Sequence, residues 1–499
     1  MPTPRDISSA SKLAFGALAL VAATATAYAP ALGGFFVKDD LAILTSAQIE
    51  VREVLARSWL GFYRPASELL LGLEHRLFGL ETMPYHVVSL LAHLTAVALT
   101  WRIWDRLTDR TTAALTAALF ALHPINTEAV SWISGQMSLM ASLCALIAVA
   151  ATLENQLRPS PALASVAVAG CAAGLVFYES TVTAPVLCTL IALFTARQTR
   201  RPVRWALFIS LLAILVAYLV VRFVVLDLGS GYIRTAIGPI APVLNLSYYI
   251  YIFLGGNATG ARILFYAPEQ AASVSGLLQI VPPFLLWNVV ILPGAWLFWR
   301  WRRSIGTKTE NISPSWYRVW LPLLWTIIAL GSVLFLPDRM RRVAYLASPA
   351  AAALLATLAM AATRPFRPLT RQLVLGTGLA LVALDLYGRN GDWYKAGALE
   401  QQVPSVVTGA DPGNRCRSVA FDVPNLYGDA LFFLSASTRE WIRINTQRDV
   451  RVLEPHELES LRGALPECCF RLDADGWRWL DPSMCGELPT YTQGHNWLY

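Results

Sequence analysis

Long apolar segments, separated by short polar stretches, make up most of the chain before residue 389. The first covers residues 13–32, and at a rise of about 1.5 Å per residue it matches a bilayer core of about 30 Å. The segment at 243–256 is shorter and carries polar side chains, so we interpret it as re-entrant or interfacial. The remaining pattern predicts about eleven transmembrane helices, at residues 13–32, 84–104, 111–123, 137–153, 161–177, 181–196, 205–226, 277–299, 316–336, 343–362 and 372–388.

Composition agrees with this pattern, because 55% of the residues are hydrophobic and only 15% are charged. We therefore expect an all-α polytopic membrane protein surrounded by membrane lipids. The formal net charge of +7 is spread over short basic runs between the apolar segments, so we expect no nucleic-acid partner. By the positive-inside rule these runs place the N-terminus in the cytoplasm and the C-terminus outside, which suits a bacterial inner membrane.

The last part of the chain, residues 389–499, has an ordinary content of charged residues. Short runs typical of β-strands occur at 418–423, 430–435 and 441–444, and turn signals such as Gly428-Asp429 separate them. The sequence thus predicts a membrane domain at 1–388, followed by a small extracytoplasmic α+β domain at 389–499.

Four cysteines lie in this predicted domain: Cys416, Cys468, Cys469 and Cys485. An even number of cysteines in an oxidising compartment predicts two disulfides. Adjacent cysteines rarely pair with each other, which suggests that one of Cys468 and Cys469 bonds Cys416 and the other bonds Cys485. A zinc site is the weaker alternative, because no C-x-x-C or histidine spacing accompanies them.

Two adjacent carboxylates, Asp39 and Asp40, follow Lys38 just beyond the first apolar segment. Like charges at this spacing repel, so one carboxyl group can acquire a raised pKa and accept a proton. The alternative is that both residues cap the membrane helix and open the next short helix.

A polar segment from His123 to Gly135 follows the third predicted helix and is predicted to lie on the same outer face. It reads H-P-I-N-T-E-A-V-S-W-I-S-G, and His123 and Glu128 supply polar groups close to the membrane surface. Pro124 marks a helix boundary, and Asn126 or Thr127 is suited to capping the next turn. A capped loop with an interfacial tryptophan is the alternative interpretation.

This segment closely resembles the H-P-I-H-T-E-A-V-x-x-x-x-G motif of the transmembrane and tetratricopeptide-repeat O-mannosyltransferases and their bacterial relatives, in the GT-C superfamily. Residues 38–40 resemble the acidic pair of that family, and Tyr63-Arg64-Pro65 resembles its R-P-L motif. Residues 177–180 are similar to its K-E-S turn, and 341–346 to its E-R-Y-L-Y-L motif. The chain departs from the family pattern at Gln136, Ser138 and Tyr178, and it lacks the repeat domain.

The resemblance implies a GT-C-like fold and an inverting transfer of a sugar, mannose as the first choice, from a polyprenyl-phosphate-linked donor. The acceptor would be a protein, glycan or lipid on the outer face. A sugar phosphate is a good leaving group, so the reaction needs one base and a cation for the departing phosphate. By resemblance, Asp39 is the expected base and Arg342 the expected cation, with Arg341 as its alternative. Asp40 is the second expected catalytic residue, acting through positioning or a metal. Further donor- or acceptor-binding residues are expected to be Arg64, His123, Glu128 and Glu179.

No cofactor is certain, although a divalent cation held by Asp40 and Glu128 is compatible with the superfamily. The competing hypothesis is non-catalytic: a scaffold with this fold, or a translocase for lipid-linked sugars. Transporters place functional polar residues near the middle of the membrane. Here the ionisable residues are predicted to cluster at one face, which favours surface chemistry.

Overall fold

The computed structural model describes residues 4–47, 50–59, 61–228, 241–266, 317–336, 339–410, 416–423, 426–431, 435–453, 467–473 and 476–480. Two sequence-based expectations, the helix at 277–299 and the pairing of Cys485, lie outside these residues.

Helices make up most of the described chain, as the sequence predicts. Each predicted membrane helix other than 277–299 falls on a helix of the structure. The helices are α1 Pro4–Leu32, α2 Asp40–Ser46, α3 Val51–Ala56, α4 Pro65–Phe78, α5 Thr82–Leu107, α6 Arg110–Leu122, α7 Thr127–Val130, α8 Gln136–Leu157, α9 Pro161–Phe177, α10 Ala184–Thr199, α11 Trp205–Val220, α12 Ala241–Phe253, α13 Ala258–Tyr266, α14 Tyr317–Gly331, α15 Ser348–Ala362, α16 Pro368–Ala410 and α17 Ser435–Thr446.

Within the described part of the chain, six helical segments are long and apolar enough to cross a membrane. They are Ala14–Leu32, Thr82–Leu107, Gln136–Leu157, Glu179–Thr199, Trp205–Val225 and Pro368–Ala410. Further apolar helices, α6, α9, α12, α14 and α15, are shorter than 18 residues. The polytopic helical architecture is thus confirmed, and the count of eleven crossings stays a prediction.

The helix α8 lies at the centre of the membrane domain, where it packs against α5, α9 and α10. Small residues allow this close packing, as is typical between membrane helices. A Cβ added at Gly170 of α9 would lie 2.8 Å from the Cys144 carbonyl oxygen of α8. The close contacts fix the position of α8, which directly follows the 123–135 segment.

The C-terminal part contains a four-stranded mixed sheet in the order β4-β1-β5-β6. Its β1 strand pairs in parallel with β4 and β5, and β6 pairs antiparallel with β5. A separate hairpin is formed by β2 and β3. The strands are β1 Ser418–Asp422, β2 Leu426–Tyr427, β3 Ala430–Leu431, β4 Arg451–Leu453, β5 Cys468–Asp473 and β6 Gly476–Leu480.

The predicted strand at 441–444 is wrong, because these residues lie inside α17. Thr438, Trp441 and Ile442 are buried at a spacing of three and four residues, which is the spacing of one helix face. The mixture of apolar and polar residues in W-I-R-I therefore marks the edge of a helix face, where buried and exposed residues meet. The predicted α+β character of this part is confirmed by the sheet and by α17 together.

The structure contains the disulfide Cys416–Cys468, with Cα atoms 5.7 Å apart. Cys469 is also disulfide-bonded. Cys144, Cys171 and Cys188 are free and lie in apolar helices, as expected. One predicted bond is thus present, and the bond assigned to Cys485 remains a prediction.

The helix α16 runs without a break through residue 389, where the sequence places the domain boundary. Its 43 residues extend about 65 Å, roughly twice the bilayer core. The second half of the helix packs against the sheet. This contact buries Trp393, Ala396, Val403 and Val407 of α16 with Val419, Phe421, Ile442 and Phe470 of the small domain.

Candidate active site

The loop between α1 and α2 carries the acidic pair and lies against α16. A Cβ added at Gly397 of α16 would lie 2.9 Å from the Phe35 carbonyl oxygen, so only glycine permits this approach. Lys38 adopts a backbone φ of 53°, in the left-handed region that residues other than glycine rarely occupy. This backbone turn directs the two following carboxylates differently.

Asp40 is 1% exposed, and protein donors occupy both of its carboxylate oxygens. Its Oδ1 accepts from the Ser134 nitrogen at 2.8 Å and from the Ser134 hydroxyl at 2.5 Å, and its Oδ2 accepts from the Val37 nitrogen at 3.0 Å. Burial, and then the charge of Asp39, raises the pKa of Asp40 to about 7, against the opposing effect of these hydrogen bonds. Asp40 therefore joins the acidic loop to the 123–135 segment.

Asp39 is arranged differently from its neighbour. It precedes α2, but its side chain makes no capping hydrogen bond. Its Oδ1 is buried and accepts no hydrogen bond from any residue that the structure describes. Burial raises the pKa of Asp39, while the charges of Lys38, Arg342 and Arg64 oppose this shift. Of the two carboxylates, Asp39 is thus the one with an oxygen that no described residue hydrogen-bonds.

His123 serves the local fold of its loop. Its Nδ1 accepts from the Ile125 nitrogen at 3.1 Å, so its Nε2 is the atom that donates to the Phe253 carbonyl at 3.0 Å. The structure thus places a neutral imidazole between two backbone groups.

Two other residues of the segment explain its compact shape. Asn126 Nδ2 donates to the Phe120 carbonyl at 2.7 Å, and its Oδ1 accepts from the Ser348 hydroxyl at 2.9 Å. At Gly135 an added Cβ would collide with the Glu128 carbonyl oxygen. Asn126 therefore holds the segment through hydrogen bonds, and Gly135 is required by the close approach of the backbone.

Glu128 and Arg342 form a pair beside the acidic loop. Arg342 Nη1 donates to Glu128 Oε1 at 2.7 Å, and the Arg342 guanidinium lies 4.7 Å from the centre of the Trp132 ring. The Arg342 backbone carbonyl accepts from the Ser138 hydroxyl at 2.7 Å. The side chain of Arg342 keeps 14% of its surface exposed.

Arg341 has a different environment from Arg342. Its side chain is 3% exposed and forms an ion pair with Asp429 in the turn between β2 and β3. Its backbone nitrogen donates to Glu128 Oε2 at 3.1 Å, and its Nε lies 3.5 Å from the same oxygen. Burial alone would raise the pKa of Asp429, but the charges of Arg341 and Arg389 outweigh it and lower the pKa. Arg341 thus connects two parts of the protein.

Arg64 and Glu179 form a second ion pair. Arg64 Nε donates to Glu179 Oε2 at 2.8 Å, and Nη2 donates to Oε1 at 2.5 Å. The guanidinium lies between two aromatic rings, 4.1 Å from the centre of Phe62 and 4.0 Å from that of Tyr178. This bidentate and stacked geometry fixes the orientation of Arg64.

The structure also reveals a contact that sequence reasoning missed. Gln136 Nε2 donates to Glu74 Oε1 at 3.1 Å, while Glu74 Oε2 and Gln136 Oε1 have no hydrogen-bond partner among the described residues. Burial raises the pKa of Glu74 to about 7, against the opposing hydrogen bond from Gln136. Glu74 gave no sequence signal because it looks like one polar position of an amphipathic helix. Ser134 was missed because its role depends on Asp40.

The described residues contain no group of three histidine, cysteine, aspartate or glutamate side chains that could hold a metal ion. The carboxylate oxygens of Asp40 and Glu128 accept hydrogen bonds from protein donors instead. Their metal-binding role stays a prediction.

Comparison of sequences confirms the resemblance that the motifs predict, although no protein-family model matches the chain. A Caenorhabditis elegans protein O-mannosyl-transferase is 28% identical over 158 residues, 28% of this chain and 23% of the relative. The protein O-mannosyl-transferase Tmtc2 of Drosophila melanogaster is 32% identical over 187 residues, 33% of this chain and 20% of the relative. The matched part therefore spans less than a quarter of either relative.

Solved structures of membrane glycosyltransferases are distantly similar. The oligosaccharyltransferase AglB from Archaeoglobus fulgidus is 10% identical, with a TM-score of 0.44 and coverage of 87% of this chain and 64% of its own. ArnT from Cupriavidus metallidurans is 14% identical, with a TM-score of 0.40 and coverage of 92% of this chain and 93% of its own.

Proposed function

We propose that the chain is an inverting glycosyltransferase that moves a sugar from a polyprenyl-phosphate-linked donor to an acceptor on the extracytoplasmic face. The observation that carries this proposal is the difference between the two aspartates. Asp40 is held through both oxygens, whereas Asp39 keeps a buried oxygen that no described residue hydrogen-bonds. A base beside arginines is the arrangement that transfer from a sugar phosphate requires.

In the proposed reaction, Asp39 removes the proton from the acceptor hydroxyl. The hydroxyl oxygen forms a bond with the anomeric carbon of the sugar, and the bond from that carbon to the phosphate oxygen breaks. The departing phosphate keeps the electron pair, and Arg342 stabilises its charge. One displacement at the anomeric carbon inverts its configuration.

The other residues position these two groups. Asp40 fixes the loop that carries Asp39, and Glu128 orients Arg342. The contacts of His123 support a packing role for this residue, in place of ligand binding. Arg64 forms an ion pair with Glu179, and its positive charge is close enough to oppose the rise in the pKa of Asp39. The names of the sequence relatives support mannose as the first sugar to test.

The compartment belongs to the same proposal. A disulfide between Cys416 and Cys468 suits an oxidising environment, which supports placing the small domain outside the cytoplasm. With the N-terminus inside, the acidic loop and the small domain lie on the same outer side of a bacterial inner membrane.

Mass spectrometry of glycans and glycoproteins tests the proposal and identifies the acceptor. Cells that lack the chain should lose a sugar modification that the parent chain restores and the Asp39→Asn variant does not. The purified parent should release polyprenyl phosphate from a mannosyl donor when the acceptor is present. Movement of the intact donor across a vesicle membrane, without release of polyprenyl phosphate, would favour a translocase and contradict the proposal.

A further inference from the structure

Asp429 lies in the turn between β2 and β3, far along the chain from the acidic loop. Gly428 adopts a φ of 57°, and a Cβ at this position would collide with the Asp392 carboxylate of α16. The Asp429 nitrogen donates to Asp392 Oδ2 at 2.9 Å. The turn is thus seated directly on α16, and Asp429 is only 2% exposed.

The side chain of Asp429 contacts three segments outside its own hairpin: residues 341–344, α16 and α13. Its Oδ2 accepts from Arg341 and lies 3.4 Å from Arg389 Nη1, and its Oδ1 accepts from the Ala258 nitrogen at 2.7 Å. The Asp429 backbone carbonyl also accepts from Arg341. A buried charge is tolerated only when it is paired and hydrogen-bonded, and Asp429 meets both conditions.

A short series of contacts connects Asp429 with the arginine of the candidate active site. Asp429 holds the guanidinium of Arg341, and Arg341 holds Glu128 Oε2 through its backbone and side chain. The other oxygen of Glu128 accepts from Arg342 at 2.7 Å. The two oxygens of Glu128 are thus divided between the two arginines.

We propose that Asp429 is a positioning residue, through which the small domain fixes Arg342 for transfer; this inference rests on the proposed function. Without the Asp429 charge, Arg341 loses its main partner in the small domain and turns toward Glu128. Glu128 then no longer holds Arg342 in one orientation. In this proposal the small domain contributes to the reaction through the contacts of Asp429 with Arg341.

The test uses the full chain in lipid nanodiscs and the isosteric variant Asp429→Asn. We expect turnover of the mannosyl donor to fall about 10²-fold, the effect typical of a misplacement near 1 Å. The KM for the acceptor should stay unchanged, because Asp429 does not contact it. The matched control is Asp449→Asn, which removes an exposed ion pair with Arg439 in the same small domain and should retain parental turnover.

Hydrogen exchange gives a second readout that needs no activity. In Asp429→Asn the amides of 341–344 should exchange faster, because the Arg341 nitrogen loses its fixed acceptor on Glu128. Asp449→Asn should leave them unchanged. If Asp429→Asn does not fold, Asp392→Asn can replace it, because this change weakens only the hydrogen bond from the Asp429 nitrogen to Asp392. The amides of 341–344 should then also exchange faster, by a smaller amount.

The outcomes separate the two proposals. Parental turnover and parental exchange in a folded Asp429→Asn protein would overturn the positioning role. A parent chain that transfers no sugar would overturn the proposed function, while faster exchange in Asp429→Asn would still demonstrate the coupling between the small domain and 341–344.

Discussion

The guanidinium of Arg64 lies 4.0 Å from the centre of the Tyr178 ring. Tyr178 occupies the position at which the similar K-E-S turn has lysine. The Tyr178 hydroxyl is buried without a hydrogen-bond partner in the described part of the chain. The ring, and not the hydroxyl, is therefore the part of Tyr178 that stabilises Arg64. A substitution of Tyr178 is therefore expected to affect stability according to whether it keeps an aromatic ring.

Replacing Tyr178 by lysine should destabilise the protein, because it removes the ring and places a like charge beside Arg64. We expect a loss of about 1–2 kcal/mol in stability, the range of a desolvated cation–π contact. Tyr178→Phe keeps the ring and should retain the parental melting temperature. Thermal unfolding in nanodiscs compares the two, and equal stability of the lysine and phenylalanine variants would contradict the stacking role.

Asp39→Asn should abolish most transfer while the lipid-linked sugar still binds. The amide keeps the shape of the side chain but removes the proton acceptor, and a general base contributes about 10²- to 10⁴-fold. Asp40→Asn should cost less, since Asp40 acts on the loop and not on the acceptor. Single-turnover transfer measures both. An inactive Asp40→Asn beside an active Asp39→Asn would reverse the roles.

Stability should depend on pH through Asp40. Its pKa is about 7 in the folded protein against an ordinary 3.8, so the folded state holds the proton more tightly than the unfolded state. Its contribution is complete below pH 3.8 and is lost as the pH rises toward 7. The melting temperature of Asp40→Asn relative to the parent should therefore increase from pH 5 to pH 8. A constant difference across this range would show that Asp40 does not titrate there.

Arg342 and Arg341 should respond differently to substitution. Arg342→Lys keeps the charge but loses the planar fork, and loss of one such stabilising contact costs about 10²-fold in rate. Arg341→Lys should instead lower the stability of the small-domain contact, because Arg341 is buried against Asp429. Turnover and melting temperature measured on both variants separate these effects. Normal donor affinity and turnover in Arg342→Ala would exclude the assignment.

The small domain should contain two disulfides and lie outside the cytoplasm. Peptide mapping without reductant should recover Cys416 joined to Cys468, as in the structure, and Cys469 joined to Cys485. A periplasmic reporter fused after Tyr499 should be active. Four free thiols in freshly isolated membranes, or activity of a cytoplasmic reporter alone, would contradict the proposed compartment.

Hydrophobic patterning placed ten of the eleven predicted membrane segments on helices of the structure, because a helix in lipid must be apolar over its length. It was insufficient at 441–444, where four residues fit a strand and a helix equally well. It also could not show that α16 continues past residue 389, since that half of the helix carries polar residues and packs against the sheet.

The motifs located the candidate site but not its contacts. Asp40 and Ser134 are 94 residues apart, and Glu128 and Arg342 are 214 apart, so only the fold brings them together. Gly428-Asp429 is a turn signal in the sequence, and the structure does contain a turn there. Its ion pair with Arg341 depends on how the turn meets α16, which local sequence does not encode.

The bond between Asp40 and Ser134 has a consequence for biosynthesis. Asp40 is synthesised 94 residues earlier than Ser134. The nascent chain therefore exposes the acidic loop before Ser134, the main hydrogen-bond donor to Asp40, has been made. A carboxylate without these donors is costly to bury, and the loop is expected to remain hydrated until the later helices leave the translocon. Maturation of the acidic loop is therefore tied to insertion of α8, and a chain stalled before Ser134 should reach the membrane with that loop still open to water.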